Sequence, residues 1–308
     1  MSPVGLEELL GPLLERLVGI DDVAGPVVVA CSGGPDSLAL LALACAAETQ
    51  PIAVHVDHGA RAGSDAEAAV VEAHATRLGA GFRAERVAVG PGPSFEARAR
   101  EARYTALEHA RVALDASAIL VGHTADDQAE TVLLNVLRGS ASAGMAAMPV
   151  WRDRIVRPLI ELRRSETEAL CAMLGFEPVR DPSNDDLTLR RNWIRHEVLP
   201  VLSAGAGRDL VPVLARQAAI LREESTYLDA LADAAWPADG ERPARVLAAM
   251  PLVLARRAVR RWVGPPPPSL EEVERVLAVA RGDVRATEVA GARRVWRTQG
   301  RMHADDRR

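Results

Sequence analysis

The chain has 308 residues, 37 basic and 42 acidic side chains, a net charge of −5 and apolar residues at 48% of positions, a composition that can bury a sizeable core and excludes the fibrous and intrinsically disordered classes. All 37 basic residues are arginine. With no lysine in the chain, phosphate loops built on an invariant lysine and enzymes that form a Schiff base through their own lysine are excluded.

The N-terminal MSPVGLEELLGPLLERL has early acids and apolar residues at helical spacing, which reads as neither a signal peptide nor a membrane span. Short apolar runs at Pro26 to Ala30, Ile52 to Val56, Phe82 to Val89 and Ala118 to Val121 then read as strands. Helical periodicity separates them at Ser37 to Ala47, Ser64 to Leu78 and Phe95 to Leu114. Continuous Val, Ile and Ala runs alternating with helices predict an α/β fold, a doubly wound parallel sheet whose ligands sit at the carboxyl ends of the strands.

The first such end is Cys31-Ser32-Gly33-Gly34-Pro35-Asp36-Ser37, running from strand into helix. Successive backbone N–H groups at a helix N-terminus cradle an anion, and glycines allow the close approach. Ser32 and Ser37 add hydroxyl donors. Asp36 would repel a bare anion, so a Mg²⁺ ion bridging it to phosphate is the natural supposition. The alternative is a tight turn capped by Asp36 or Ser37. SGGPDS resembles the SGGxDS loop of the PP-loop ATP pyrophosphatases, which implies ATP contacts at Ser32, Gly33, Gly34, Pro35, Asp36 and Ser37.

The next ends carry Asp57-His58-Gly59-Ala60-Arg61 and Gly122-His123-Thr124-Ala125-Asp126-Asp127-Gln128-Ala129-Glu130-Thr131. Asp57 and His58 stand where such folds place a base or ribose, or form a simple turn. Asp126, Asp127 and Glu130 share a helix face and suit a magnesium ion, a lysine ammonium or a helix dipole. His123 reads as a phosphate contact or as a histidine bonded to a backbone carbonyl. Arg100 and Arg103, three apart on a helix, suit pyrophosphate neutralisation. Cys31, Cys45 and Cys171 lack any paired spacing for zinc, redox or disulfide chemistry, which predicts a reducing, cytoplasmic setting.

These segments, with Glu96 to Tyr104, Arg157-Pro158-Leu159, Asp181-Pro182-Ser183-Asn184 and Arg191-Asn192-Trp193-Ile194-Arg195, resemble the tRNA(Ile)-lysidine synthetases over residues 26 to 200. Ala60 replaces a usual leucine, and Arg138 to Met145 is an altered Gly-rich stretch. The resemblance implies an ATP-dependent ligase that adenylates the wobble cytidine of a tRNA(Ile) bearing a CAU anticodon, after which free L-lysine displaces AMP. It implies catalytic roles for Asp36, Arg100, Arg103, His123, Asp126, Asp127 and Glu130, a place for Arg191 and Arg195 on tRNA, no membrane partner, and room for a homodimer. With no lysine in the chain, the attacking amine must come from solution. tRNA thiolation on the same scaffold would call for a Cys-x-x-Cys pair, and a nucleotide-binding regulatory module would not call for the acid cluster.

The catalytic region is expected over 1–205 and a small α-rich tRNA-binding domain over 206–308. Residues 242–308 carry 15 Arg against 7 acids, a surface suited to RNA phosphates or an arginine-rich solvated face. Helices are expected at Leu210 to Ala235, Arg245 to Trp262 and, after the capping box Ser269 with Glu272, Leu270 to Ala280. A closing segment runs from Val284 to Met302 with Gly291 as its turn. Arg256, Arg257, Arg260 and Arg261 form two adjacent helical rows, the candidate tRNA contacts of this domain.

Overall fold

Val27 and Val29 pack on one face of the first strand and Val28 on the other, each in its own buried apolar cluster. A strand apolar on both faces belongs inside a sheet covered on both sides, and the chain follows that rule. The computed structural model describes residues 10–57, 59, 65–90, 92, 95–179, 181–237 and 240–305. Its main sheet has the order β3-β2-β1-β4-β6-β5, with β1 Val27–Ala30, β2 Pro51–Asp57, β3 Gly81–Arg86, β4 Ala118–Val121, β5 Trp151–Arg152 and β6 Ile155–Val156. All neighbours are parallel except β5, which pairs antiparallel with β6. The third strand is shorter than the apolar run that predicted it, ending at Arg86.

Helices α1 Pro35–Ala46, α2 Asp65–Leu78, α3 Phe95–Ala113, α4 Ala125–Leu137 and α5 Arg164–Met173 follow or connect these strands. Leu107 and Ala110 of α3 pack with Val28 and Ile119 on one face of the sheet. Leu38, Leu41 and Leu170 pack with Val27 and Val29 on the other. Because β1 lies between β2 and β4, the chain leaves it in one direction and returns on its far side. The topological switch point therefore falls between the ends of β1 and β4, where a doubly wound sheet opens a crevice. A further helical run, α6 Arg190–Ala206, contains a π turn at Ile194–Val198.

The chain divides into two compact units, Met1–Ala219 and Ile220–Arg308, so the division falls within helix α7 Val211–Ala235 rather than at residue 205. The second unit contains α8 Ala244–Ala249, α9 Leu252–Val263 and α10 Leu270–Arg281 around a core in which Trp236 meets Trp262 edge to face at 5.3 Å. The capping box forms, with Ser269 N–H donating to Glu272 at 2.7 Å and Glu272 N–H to Ser269 Oγ at 3.2 Å. The closing segment is not helical. It folds as a three-stranded antiparallel sheet, β7 Ala286–Val289, β8 Arg293–Thr298 and β9 Arg301–Ala304, with Gly291 in the first turn at φ +77. Val289, Val295 and Met302, one from each strand, face the core there. Among the described residues no single helix is long and apolar enough to cross a membrane.

The two loops of the switch point touch at Gly122. A Cβ built there would lie 2.9 Å from the Asp36 carbonyl oxygen and 3.2 Å from Ser37 N, both backbone atoms that cannot swing aside. Gly122→Ala is therefore expected to lower stability by about 1–3 kcal/mol through overpacking. Urea unfolding of the wild type and the variant measures the loss, and equal midpoints would show that the loops are not in such close contact.

Candidate active site

The phosphate-type loop is shaped by its small residues. Gly33 has φ +84, and a Cβ there would come within 2.8 Å of Val179 Cγ2, so glycine is demanded on both counts. Pro35 opens α1 where its missing N–H costs nothing. Ser37 Oγ donates to the Gly34 carbonyl at 2.9 Å and lies 3.4 Å from Ser32 Oγ, so both hydroxyls converge beside a helix N-terminus. Behind them, buried His55 bonds the Cys31 carbonyl through Nδ1 at 3.0 Å and ties the end of β2 to the loop. The buried Cys31 thiol is pushed up by burial above its ordinary pKa, which suits a packing role.

Asp36, on the first turn of α1, meets the acids of α4 through Arg164, which opens α5, and those acids are further held by Arg163 and by two arginines on α6. Arg164 places Nε 3.4 Å from Asp36 Oδ2, Nη2 3.0 Å from Asp127 Oδ1 and Nη1 3.3 Å from Glu130 Oε1. Arg163 forks onto both oxygens of Asp126 at 3.1 and 3.2 Å. Arg191 and Arg195 each place Nε 2.7 Å from Glu130, whose side chain is 1% exposed. Four carboxylates and four guanidiniums thus share one partly enclosed space.

The compensation is uneven. Burial raises Asp127, yet Arg191, Arg164 and the Thr124 N–H outweigh it and hold its carboxyl below the usual range. Its Oδ2 accepts from Thr124 N–H at 2.9 Å and Thr124 Oγ1 at 3.2 Å, which closes the helix cap. Asp36 is pushed up to about 6, mainly by burial and further by Asp127, although Arg164 and the bonded Thr167 hydroxyl pull it down. It is the carboxylate left short of positive charge. No group of three His, Cys, Asp or Glu side chains among the described residues forms a ready cation cage.

His123 follows β4, with its Nδ1 buried and without a hydrogen-bond partner among the described residues, so the alternative of a bond from that atom to a carbonyl is not realised. Burial drops its pKa to about 3; Asp127 opposes that, and Arg157, Arg191 and Arg100 reinforce it. Arg100 stacks on Tyr104, 5.2 Å from the ring centroid, and Arg103 lies within electrostatic reach of Asp181. Asp57 accepts from Gly59 N–H at 2.8 Å and sits 3.7 Å from Arg86, the simple-turn arrangement. His58 lies outside the described residues.

Arg191 and Arg195, expected on tRNA, are turned onto Glu130 instead, because a buried carboxylate requires compensation wherever it can be reached. In the second unit Arg256 pairs with Glu274 at 2.6 Å, Arg257 with Asp229 at 2.8 Å and Arg261 with Asp233. Arg260 is exposed and makes no ion pair among the described residues. Arg163, Arg164 and Thr167 escaped the sequence reading. Their signal was a pair of arginines at a helix start, where the macrodipole disfavours cations unless acids compensate them.

A phosphate loop at the switch point of a parallel sheet, facing an acid-bearing helix start, defines a PP-loop ATP-utilising protein. A family model described as a PP-loop domain matches residues 10–202. The chain is 45% identical over 215 residues to the tRNA(Ile)-lysidine synthase of Nocardia farcinica, covering 68% of this chain and 67% of that one. It is 39% identical over 272 residues to the tRNA(Ile)-lysidine synthase of Salinispora tropica, covering 82% and 81%. The U34-tRNA thiolase NcsA of Methanococcus maripaludis shares the fold, with a TM-score of 0.57 at 16% identity over 73% of this chain and 80% of that one. The chain belongs to the tRNA(Ile)-lysidine synthase family, ATP-dependent ligases that modify tRNA.

His123 gives a pH test. Its unfolded form takes a proton as pH falls through about 6.5, while the folded form resists until about 3, so stability is lost as pH falls across that window. The limiting slope is about 1.4 kcal/mol per pH unit. Between pH 6.5 and 5 the wild type is expected to lose up to about 2 kcal/mol more than His123→Asn, other groups cancelling in the difference. Urea unfolding at both pH values measures it, and parallel losses would place His123 in contact with water.

Proposed function

We propose that the protein joins free L-lysine to carbon 2 of the wobble cytidine in tRNA(Ile) with a CAU anticodon, consuming ATP. The cytidine O2 attacks the α-phosphorus and pyrophosphate leaves; the lysine ε-amine then attacks C2, and AMP departs with that oxygen. The observation that carries this reading is the convergence of Asp36, from the phosphate loop, with Asp127 and Glu130, from the β4 loop, on one guanidinium.

The loop of Ser32 to Ser37 holds the ATP phosphates with its N–H groups and hydroxyls. Asp36 is suited to Mg²⁺, because a buried carboxylate short of positive charge favours a cation, and Mg²⁺ commonly takes one or two carboxylates and completes its shell with phosphate and water. When bound, that ion screens the triphosphate charge. Arg100 and Arg103 neutralise the departing pyrophosphate. His123, neutral at physiological pH, can hydrogen-bond phosphate without adding charge. Asp127 receives the lysine ammonium, since one of its oxygens is committed to the helix cap and the other has Arg164, held by no short contact, as its nearest guanidinium. Glu130 and Asp126 hold the arginines that frame the site. The substrates place the reaction in the cytoplasm, and the arginines of the second unit contact tRNA.

The decisive measurement is mass analysis of nucleosides from this tRNA after incubation with protein, ATP and lysine. Lysidine is the expected product, and unmodified cytidine with no lysine-dependent AMP would sink the proposal. Asp36→Asn is expected to slow AMP formation by about 10²-fold or more. Asp127→Asn is expected to raise the lysine requirement while adenylation persists, measured as lysine dependence against pyrophosphate release. Normal lysine dependence would remove Asp127 from that role.

The C-terminal arginines separate by their partners. Arg260→Gln is expected to flatten the salt dependence of tRNA affinity by about 0.7–0.9 in log-log slope, one phosphate contact. Arg257, 12% exposed and bonded to Asp229, is expected on substitution by Gln to lower the unfolding midpoint of the protein. A salt titration and a urea melt of each variant test this, and an unchanged slope in Arg260→Gln would mark that arginine as a solvated side chain.

A further inference from the structure

We propose that Arg164 is a positioning residue that covers Asp127 until a nucleotide fills the phosphate loop, so that lysine binds after ATP. The inference rests on the reaction proposed above and assigns that site an order of binding.

Asp127 has one oxygen to offer an ammonium, because Oδ2 accepts from the Thr124 N–H and hydroxyl. The free choice is Oδ1, and the nearest guanidinium nitrogen to it is Arg164 Nη2 at 3.0 Å, with Arg191 at 3.4 Å and Arg195 at 3.8 Å. Arg191 and Arg195 are anchored on Glu130 at 2.7 Å each, so they stay in place and supply Asp127 with a constant background of positive charge. Arg164 has no comparably short contact: its three carboxylates lie at 3.0, 3.3 and 3.4 Å. It is a shared cation, tightly committed to none of its partners.

Its position in the fold also favours a different partner. Arg164 is the first residue of α5, where the helix macrodipole opposes a cation. One of its three contacts is Asp36, on the turn that forms the phosphate loop. A triphosphate entering that loop arrives beside the guanidinium and offers it two oxygens at once, the geometry that arginine binds best. Turning toward phosphate takes Arg164 away from Asp127 Oδ1. The vacated oxygen then has lost its nearest cation and has room for an ammonium. The nucleotide and lysine are thereby coupled through one side chain, and by linkage each raises the affinity for the other by the same factor.

The test is calorimetric titration of the full chain with L-lysine, in the absence and presence of α,β-methylene-ATP with Mg²⁺. For the wild type, lysine is expected to bind about 10-fold more tightly with the analogue present. Arg164→Gln is expected to bind lysine in its absence about as tightly as the wild type does in its presence, with the ratio reduced to near one. A residue with a merely structural role would weaken lysine binding in both states, and that result overturns the proposal. So does a wild-type ratio of one, or a full ratio retained in the glutamine variant. Arg164→Lys keeps a charge on the acid cluster and guards against a folding defect; a single ammonium cannot span three carboxylates, so an intermediate ratio is expected and a wild-type ratio overturns the proposal. Absence of lysine binding to the wild type under both conditions overturns the underlying reaction, and the order of binding with it.

Discussion

Glu130, on α4, is enclosed by the start of α5 and the α6 run, and its charge dictates what those elements must bring. A buried carboxylate left alone is costly, and removing one partner of a buried pair leaves several kcal/mol uncompensated. Here the compensation comes from Arg191 and Arg195 at 2.7 Å and Arg164 at 3.3 Å. Arg191 and Arg195 are thereby held in place, and Arg164, with longer contacts, carries the connection on to Asp127 and Asp36. The geometry of the acid cluster therefore depends on one carboxylate whose side chain is almost wholly enclosed.

The same balance separates the four acids by task. Asp126 and Glu130 have guanidiniums on both oxygens, and Asp127 has one oxygen spent on its helix cap. Asp36 has a threonine hydroxyl and one guanidinium contact at 3.4 Å, and its raised pKa records the shortfall. Acids that look interchangeable in the motif thus differ in how much positive charge they still attract. That difference, rather than the number of carboxylates, is what the roles proposed for Asp36 at phosphate and Asp127 at an amine rest on.

The second unit is held by different means. Its core is apolar, built on the Trp236 and Trp262 contact and the inward face of the closing sheet. Three of its arginines, Arg256, Arg257 and Arg261, lie against acids on neighbouring helices. Exposed pairs of that kind contribute little to stability, so their guanidiniums can exchange a carboxylate for a phosphate at small cost. Arg257 is the more buried member and belongs to the packing of α7 against α9.

By itself the sequence determined the parallel sheet, the phosphate loop and the carboxylate helix. Apolar runs on β1 and β4, the Gly33-Gly34-Pro35 turn and the Asp126, Asp127, Glu130 spacing are local signals that need no partner to be read. The capping box at Ser269 was legible for the same reason. Tertiary structure decided which charges meet. Arg164 reaches Asp36 across 128 positions and Arg195 reaches Glu130 across 65, and the local pattern of neither arginine names the carboxylate it meets. The closing sheet was hidden likewise, since the register of β7, β8 and β9 is fixed by which residues face the helical core. Local propensity and turn chemistry are written in consecutive residues, whereas charge compensation is settled only when folding encloses a carboxylate and some distant guanidinium must answer it.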